Sequence, residues 1–294
     1  MQITSIGRVE DISPEDFRKN YLEPQVPVII TRLAHQWPAF EKWNWNYFKQ
    51  LVGEVAVGVY NNTRAGAKIP VNGNDGVMKF GDYLDLIAQG PAGLRIFLFN
   101  IFNYAPQIIK DIEFPEQFTK SFLKKYPMLF VGGAGSVAHM HYDIDLSHIF
   151  HTQFAGRKRV LLLANNQSPL IYKMPATVES AASFVDWHES LDTERFPALQ
   201  YARAYTTILE HGDTMFMPSG YWHHMQYLDS GFALSLRALP AGILPKLNGL
   251  YHLIGKRSFN NMLIKLFPEW WYQYKRRAAD ANAQKAMERL GVMV

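Results

Sequence analysis

From residue 128 to residue 237, short apolar runs alternate with glycine-rich and polar turns. The runs lie at 128–131, 136–142, 150–154, 159–163, 206–209, 214–217, 223–227 and 232–237. Segments of this length and spacing predict antiparallel strands. A closed barrel or double-sheet jelly roll is how such strands hide their edges. Upstream the pattern is mixed. Ser13 before Pro14, Glu15 and Asp16 predicts a helix start, with serine as N-cap and proline in the first turn. Residues 26–31, 55–60 and 95–99 predict strands. Trp37-Pro38 predicts a turn, and 44–52 and 78–89 predict helices. Residues 61–76 are rich in Gly, Asn and Lys and predict a mobile loop near a mouth. The polar and aromatic insertion at 165–205 predicts a lid. After Pro240 the spacing turns helical, with an apolar stripe of Leu247, Leu250, Tyr251, Ile254, Leu263, Leu266, Phe267 and Trp270. The expected fold class is mainly β with flanking helices. One domain over 1–240 holds a jelly-roll core at about 128–240, and 241–294 forms a helical region.

Composition narrows the function classes. Hydrophobic residues make up 48% and charged residues 19%, so a substantial core is expected and wholesale disorder is not. There is no cysteine, which excludes disulfides, thiolate metal sites and a cysteine nucleophile. The first residues carry no signal-peptide pattern, and no run is apolar and long enough to span a membrane. A cytoplasmic protein is the expectation. The net charge of +4 is uneven. Residues 241–294 hold nine Lys/Arg against three Asp/Glu, leaving a mildly acidic body. A solvated helix face is the plain reading of that tail, and nucleic acid is not an expected partner.

The chemistry concentrates at His141-Tyr142-Asp143 and at His223. Two imidazoles and a carboxylate are the ligand set of a facial triad, which leaves adjacent positions open on a non-haem Fe(II). Residues i and i+2 of one strand share a face, so His141 and Asp143 can converge on one ion. His223 must come from a strand brought alongside. His224 faces the other way. His139 also lies on the predicted ligand face, as a group orienting a ligand or as a substitute for one. Asp145 is expected at the substrate, at a histidine or at the surface, and Trp187-His188 at a substrate or in packing. Tyr221 and Trp222 read as packing.

These motifs come in a telling order. Pro27-Val-Ile-Ile, Trp37-Pro-Ala, Trp43 and Phe114-Pro115 precede Gly135-Ser-Val and His141-Tyr-Asp143. Gln153-Phe-Ala-Gly156-Arg-Lys158, Gly212-Asp213, Pro218 and Trp222-His223 follow. Together they resemble the Jumonji-C, or cupin-like, branch of the Fe(II)- and 2-oxoglutarate-dependent oxygenases, over most of residues 12–240. The layout is similar to its asparaginyl-hydroxylase group. The resemblance implies a double-stranded β-helix with iron at one end, held by His141, Asp143 and His223. It implies that Lys158 pairs with the distal carboxylate of 2-oxoglutarate if it points inward; pointing outward, it is a surface lysine. His148, His151 and Ser136 are expected along the cosubstrate pocket. Three positions depart from the family pattern: Phe97, Ala138 and Arg237 stand where a tyrosine, a threonine and an asparagine are usual. Arg237 either takes over carboxylate recognition or signals a pocket for another acid, or none. The implied activity is hydroxylation of a protein side chain or a small molecule, with dimerisation through the C-terminal helices. A cupin barrel that binds without turnover is the rival, and a demethylase is a third reading.

Overall fold

The computed structural model describes residues 1–63, 74–177, 182–188 and 190–292. Most of the expected loop at 61–76 and part of the insertion at 165–205 lie outside the described residues. The amino-terminal part supplies β1 (Gln2–Ser5), β2 (Gly7–Val9), β3 (Val28–Ile30), β4 (Ala56–Val59), β5 (Gly76–Lys79) and β6 (Arg95–Phe99). Between them lie α1 (Pro14–Phe17), α2 (Pro38–Lys42), α3 (Trp45–Val52) and α4 (Phe80–Ala88). Ser13 caps α1 by accepting from the Asp16 N–H, and Asn44 caps α3 by accepting from the Tyr47 N–H. Two expectations shift. Trp37-Pro38 opens α2 instead of a turn, because a proline at the first helical position loses no hydrogen bond. Met78 belongs to β5, which pairs with β4, so the helix starts later, at Phe80.

Each of the eight predicted core runs forms a strand. They are β7 (Met128–Gly132), β8 (Val137–His141), β9 (His148–Ala155), β10 (Lys158–Leu163), β11 (Arg203–Leu209), β12 (Thr214–Met217), β13 (Trp222–Tyr227) and β14 (Gly231–Ala238). One sheet runs β1-β11-β10-β13-β8 and the other β2-β3-β12-β9-β14-β7-β6. Within them, β8-β13-β10-β11 faces β7-β14-β9-β12, and the chain alternates between the two sheets except at β10 and β11, which pair with each other in the shorter one. That is the double-stranded β-helix of a jelly roll.

Side-chain alternation sorts the core into layers. Ile149, Val160, Leu162, Met215 and Met225 pack between the sheets. Phe150, Phe154, Phe232 and Leu234 turn outward from the longer sheet, against Phe17, Trp43 and Phe48 of the amino-terminal helices. Met140, Tyr142, Leu163 and Trp222 turn outward from the shorter sheet. They meet the insertion and α7 (Pro268–Arg289), which follows α5 (Ile243–Leu250) and α6 (Arg257–Leu266). The insertion is therefore a packed layer where described, with Ile171, Tyr172, Val185 and Phe196 buried, rather than a lid. The tail divides. Trp271, Lys275, Ala279, Ala283 and Met287, at four-residue spacing, bury one face of α7. The predicted stripe on α5 and α6 stays largely exposed, Leu247, Leu250 and Leu266 included.

Candidate metal centre

His141, Asp143 and His223 meet at the end of the barrel, with one ligand atom from each within 4.8 Å of the others. β13 lies beside β8 with His223 opposite His141, and the ring centroids are 4.1 Å apart. β8 ends at His141, so Asp143 projects from the turn beyond it and not from the strand itself. That turn closes with the Leu146 N–H on the Asp143 carbonyl. Leu146 is held in the left-handed region at φ 54°, where a branched side chain is strained.

The tautomers are set by the backbone. His141 Nδ1 lies 2.6 Å from the His139 carbonyl oxygen and His223 Nδ1 3.2 Å from that of Tyr221. A carbonyl only accepts, so each Nδ1 carries the hydrogen and each Nε2 keeps a lone pair for a metal. Burial lowers the pKa of both rings, that of His141 to about 3, so they stand neutral as ligands must. Burial alone would raise the Asp143 carboxyl, but Arg237 and the two imidazoles outweigh it and hold it below the usual carboxylate range. Neutral imidazoles and an ionised carboxylate are a donor set for a divalent first-row ion.

Arg237 lies on the inner face of β14. Its guanidinium donates to Asp143 Oδ1 at 3.2 Å and to both Asp145 oxygens at 3.1 Å. The expectation that Arg237 meets the cosubstrate carboxylate gives way here, because these two acids already take up its planar fork. Asp145 is accordingly an anchor for Arg237, not a surface residue. His139 is displaced by a β-bulge. Between the pairs His223–His141 and Met225–Ala138, two residues of β8 face one of β13. The extra residue breaks the period-two alternation. Ala138 packs inward while Met140 packs outward. His139 Nε2 instead contacts the Asn62 carbonyl oxygen at 2.8 Å, off the ligand face.

Lys158 points inward. It is 1% exposed, in line with Val160 and Leu162. Its ammonium donates to His151 Nε2 at 3.0 Å and sits 4.3 Å from the Tyr227 ring centroid. His151 Nδ1 is then the protonated nitrogen and donates to Ser235 Oγ at 2.7 Å. Burial pushes the Lys158 ammonium down to about 7, and no acid among the described residues pairs with it. A buried cation of this kind calls for an anion. Ser136 sits next to Tyr227, but its hydroxyl donates to the Gly133 carbonyl. His148 accepts from the Ser219 N–H. Phe97 stacks edge-on against Tyr60. His224 is buried on the outer face beside His188, its Nε2 without a partner among the described residues. Trp187 is packed, with Nε1 donating to Ser183. Tyr221 donates to the Gln25 carbonyl and Trp222 to Ser168. Sequence reasoning passed over Tyr227 and Ser235. Both sit an even number of positions from a site residue on their own strand (His223 and Arg237), so period two alone points to them.

Comparison with known proteins agrees with this geometry. A cupin-like domain family matches residues 14–238. Lysine-specific demethylase 8 of Xenopus tropicalis is 26% identical over 238 residues, 79% of this chain and 52% of that protein. Arginine-specific demethylase JMJ22 of Arabidopsis thaliana is 25% identical over 248 residues, 79% of this chain and 45% of that protein. Jumonji C domain-containing protein 5 of Drosophila melanogaster is 26% identical over 242 residues, 78% and 59%. The chain spans about half the length of these relatives. Jumonji-C enzymes use Fe(II) and 2-oxoglutarate, and the neutral-imidazole triad and the acid-free Lys158 fit those two groups. The chain belongs to the cupin-like, Jumonji-C type domain family.

Proposed function

We propose that this chain is an oxygenase that hydroxylates a side chain of a protein substrate. His141, Asp143 and His223 hold Fe(II), and Lys158 holds the distal carboxylate of 2-oxoglutarate. The observation that carries this reading is the convergence of three ligand atoms within 4.8 Å, with both ring tautomers already set for a metal. When bound, Fe(II) and 2-oxoglutarate supply O2 activation coupled to decarboxylation of the cosubstrate to succinate. The residues of the chain supply placement. Arg237 fixes the rotamer of Asp143 and leaves its second oxygen for the ion. His151 and Tyr227 hold the Lys158 ammonium in a dry pocket. His141 and Asp143 remain partly exposed, which gives substrate a side from which to approach.

Relatives named as lysine- and arginine-specific demethylases favour a second reading, an N-methylated side chain. Hydroxylating an N-methyl carbon is the same C–H chemistry, and the carbinolamine then releases formaldehyde and leaves the amine. The Arg237–Asp143 ion pair favours a third, a barrel that binds without turnover. Incubation with Fe(II), 2-oxoglutarate and candidate peptides separates the three. Succinate with gain of one oxygen atom supports hydroxylation, loss of a methylene supports demethylation, and no succinate leaves the binding barrel. We also propose that two copies pair through the exposed stripe on α5 and α6, an isologous contact that would cover Leu247, Leu250, Tyr251 and Leu266. Light scattering of Leu250→Glu should then report a monomer where the parent chain reports a dimer.

A further inference from the structure

Tyr142 stands between two metal-ligand residues and points the opposite way, out of the shorter sheet. It is 1% exposed, and its hydroxyl has no hydrogen-bond partner among the described residues. The tail folds over it at residues 251–256, where His252 comes within 6.1 Å of the Tyr142 ring, centroid to centroid. His252 is also buried. Lys256 donates to its Nε2, which places the ring hydrogen on Nδ1, and among the described residues that nitrogen has no partner either. Lys173, from the insertion, holds its ammonium 4.6 Å from the Tyr142 ring centroid and 5.7 Å from that of Trp222. Among the described residues its ammonium has no acid partner. The groups that act on it are its burial and the positive charge of Lys256. A cavity of about 120 Å³, lined by Lys173, Ser168, Pro169, Pro175 and Asn282, opens beside it.

Every unmatched group in this cluster can donate a hydrogen bond or carries positive charge. A phenol O–H, an imidazole N–H and two ammonium groups lie about the Tyr142 and His252 rings, and no carboxylate among the described residues pairs with either lysine. Ring faces offset part of the cost of burying the lysines but accept no hydrogen bond of ordinary strength. Proteins leave few buried polar groups unmatched, and a set of one kind marks the complementary ligand. A carboxylate has two oxygens in one plane. Donors arriving from the turn after β8, from the insertion and from the tail suit a tetrahedral dianion better, and such an ion balances both lysines. We propose that Tyr142, Lys173, His252 and Lys256 form a second site, for a phosphate-class oxyanion, behind the His141–Asp143 segment that carries two of the metal ligands. Such an ion ties the tail to the core. One turn before His252, Gly249 packs so closely that a Cβ there would lie 2.7 Å from the Asp145 carbonyl oxygen. The occupied site therefore clamps the tail onto the Asp143–Asp145 turn.

Calorimetric titration with inorganic phosphate, at ionic strength matched with chloride, tests this without metal, cosubstrate or turnover. The proposal expects one saturable site per chain. Lys173→Met and the milder Lys256→Met each weaken it by tenfold or more, while Lys158→Met leaves it unchanged. Acetate produces no saturable heat. Absence of a saturable phosphate site in the parent chain overturns the proposal. So does loss through Lys158→Met with Lys173→Met and Lys256→Met silent, since that places the phosphate in the cosubstrate pocket.

Discussion

The segment His141–Asp143, at the end of β8, presents two unlike faces. Inward, beyond the end of β8, the groups around the triad spend their partners on placement. The Nδ1 atoms of His141 and His223 are tied to carbonyls, Asp143 to Arg237, and Arg237 to Asp145. What stays open is one lone pair per ligand, all aimed at one point. Outward, Tyr142, His252 and Lys173 are open in the opposite sense, with donors and charge that no described residue accepts. The inner face is built for a cation and the outer face for an anion, one residue apart along the chain. A preorganised site reveals its ligand by what it leaves unmatched, and the sign of the mismatch names the class of ligand.

Removing a lone pair from the inner face has the largest effect. His223→Ala or Asp143→Ala abolishes measurable turnover of 2-oxoglutarate, read as succinate formed, with the fold intact by circular dichroism. Lys158→Ala comes next. Leaving a bound carboxylate without its buried cation costs about 3–5 kcal/mol, so cosubstrate affinity falls several-hundredfold in a binding titration while Fe(II) affinity holds. Arg237→Gln releases Asp143 without removing a ligand. Loss of such an outer partner costs about 10–100-fold in metal affinity, measurable by competition with a chelator.

Acidity sharpens the contrast at Lys158. Its ammonium, lowered to about 7 by burial, is the form that binds an anion, and a bound carboxylate raises it again. Affinity for 2-oxoglutarate is therefore full below about pH 7. It falls by up to about tenfold per pH unit above that, until the pKa of the complex is passed. A flat profile from pH 6 to 9 contradicts the assignment. The smallest effect belongs to the outer face. Tyr142→Phe removes a buried hydroxyl that has no partner among the described residues, so the phosphate-free protein gains about 1 kcal/mol and about 2–4 °C in Tm. The parent chain regains that difference when phosphate is added.

The barrel was legible because its strands obey one physical rule. Period-two alternation, broken by Gly and polar turns, sets each of the eight runs. The triad was legible because its residue types are rare in that spacing and the flanking motifs come in family order. Local competition hid other features. Trp37-Pro38 starts a helix because proline suits the first turn, and Met78 joins a hairpin because β4 offers a partner. The bulge at His139 was invisible, since one chain shows no register against its neighbour. The same limit hid the partner of Arg237. It comes from a turn more than ninety residues away, and a long-range ion pair leaves no local pattern. The tail stripe was read correctly as apolar, but only packing shows that α7 turns a face inward while α5 and α6 leave theirs exposed.

The central claim is that the inner face holds Fe(II) and then 2-oxoglutarate. Anaerobic addition of Fe(II) and then 2-oxoglutarate to the metal-free protein tests it directly, through the visible metal-to-ligand charge-transfer band of a chelated keto acid. The account predicts a band in the parent chain that disappears in His223→Ala. Stoichiometric Fe(II) binding with no band on saturation with 2-oxoglutarate would contradict it and leave a barrel that binds metal without the cosubstrate.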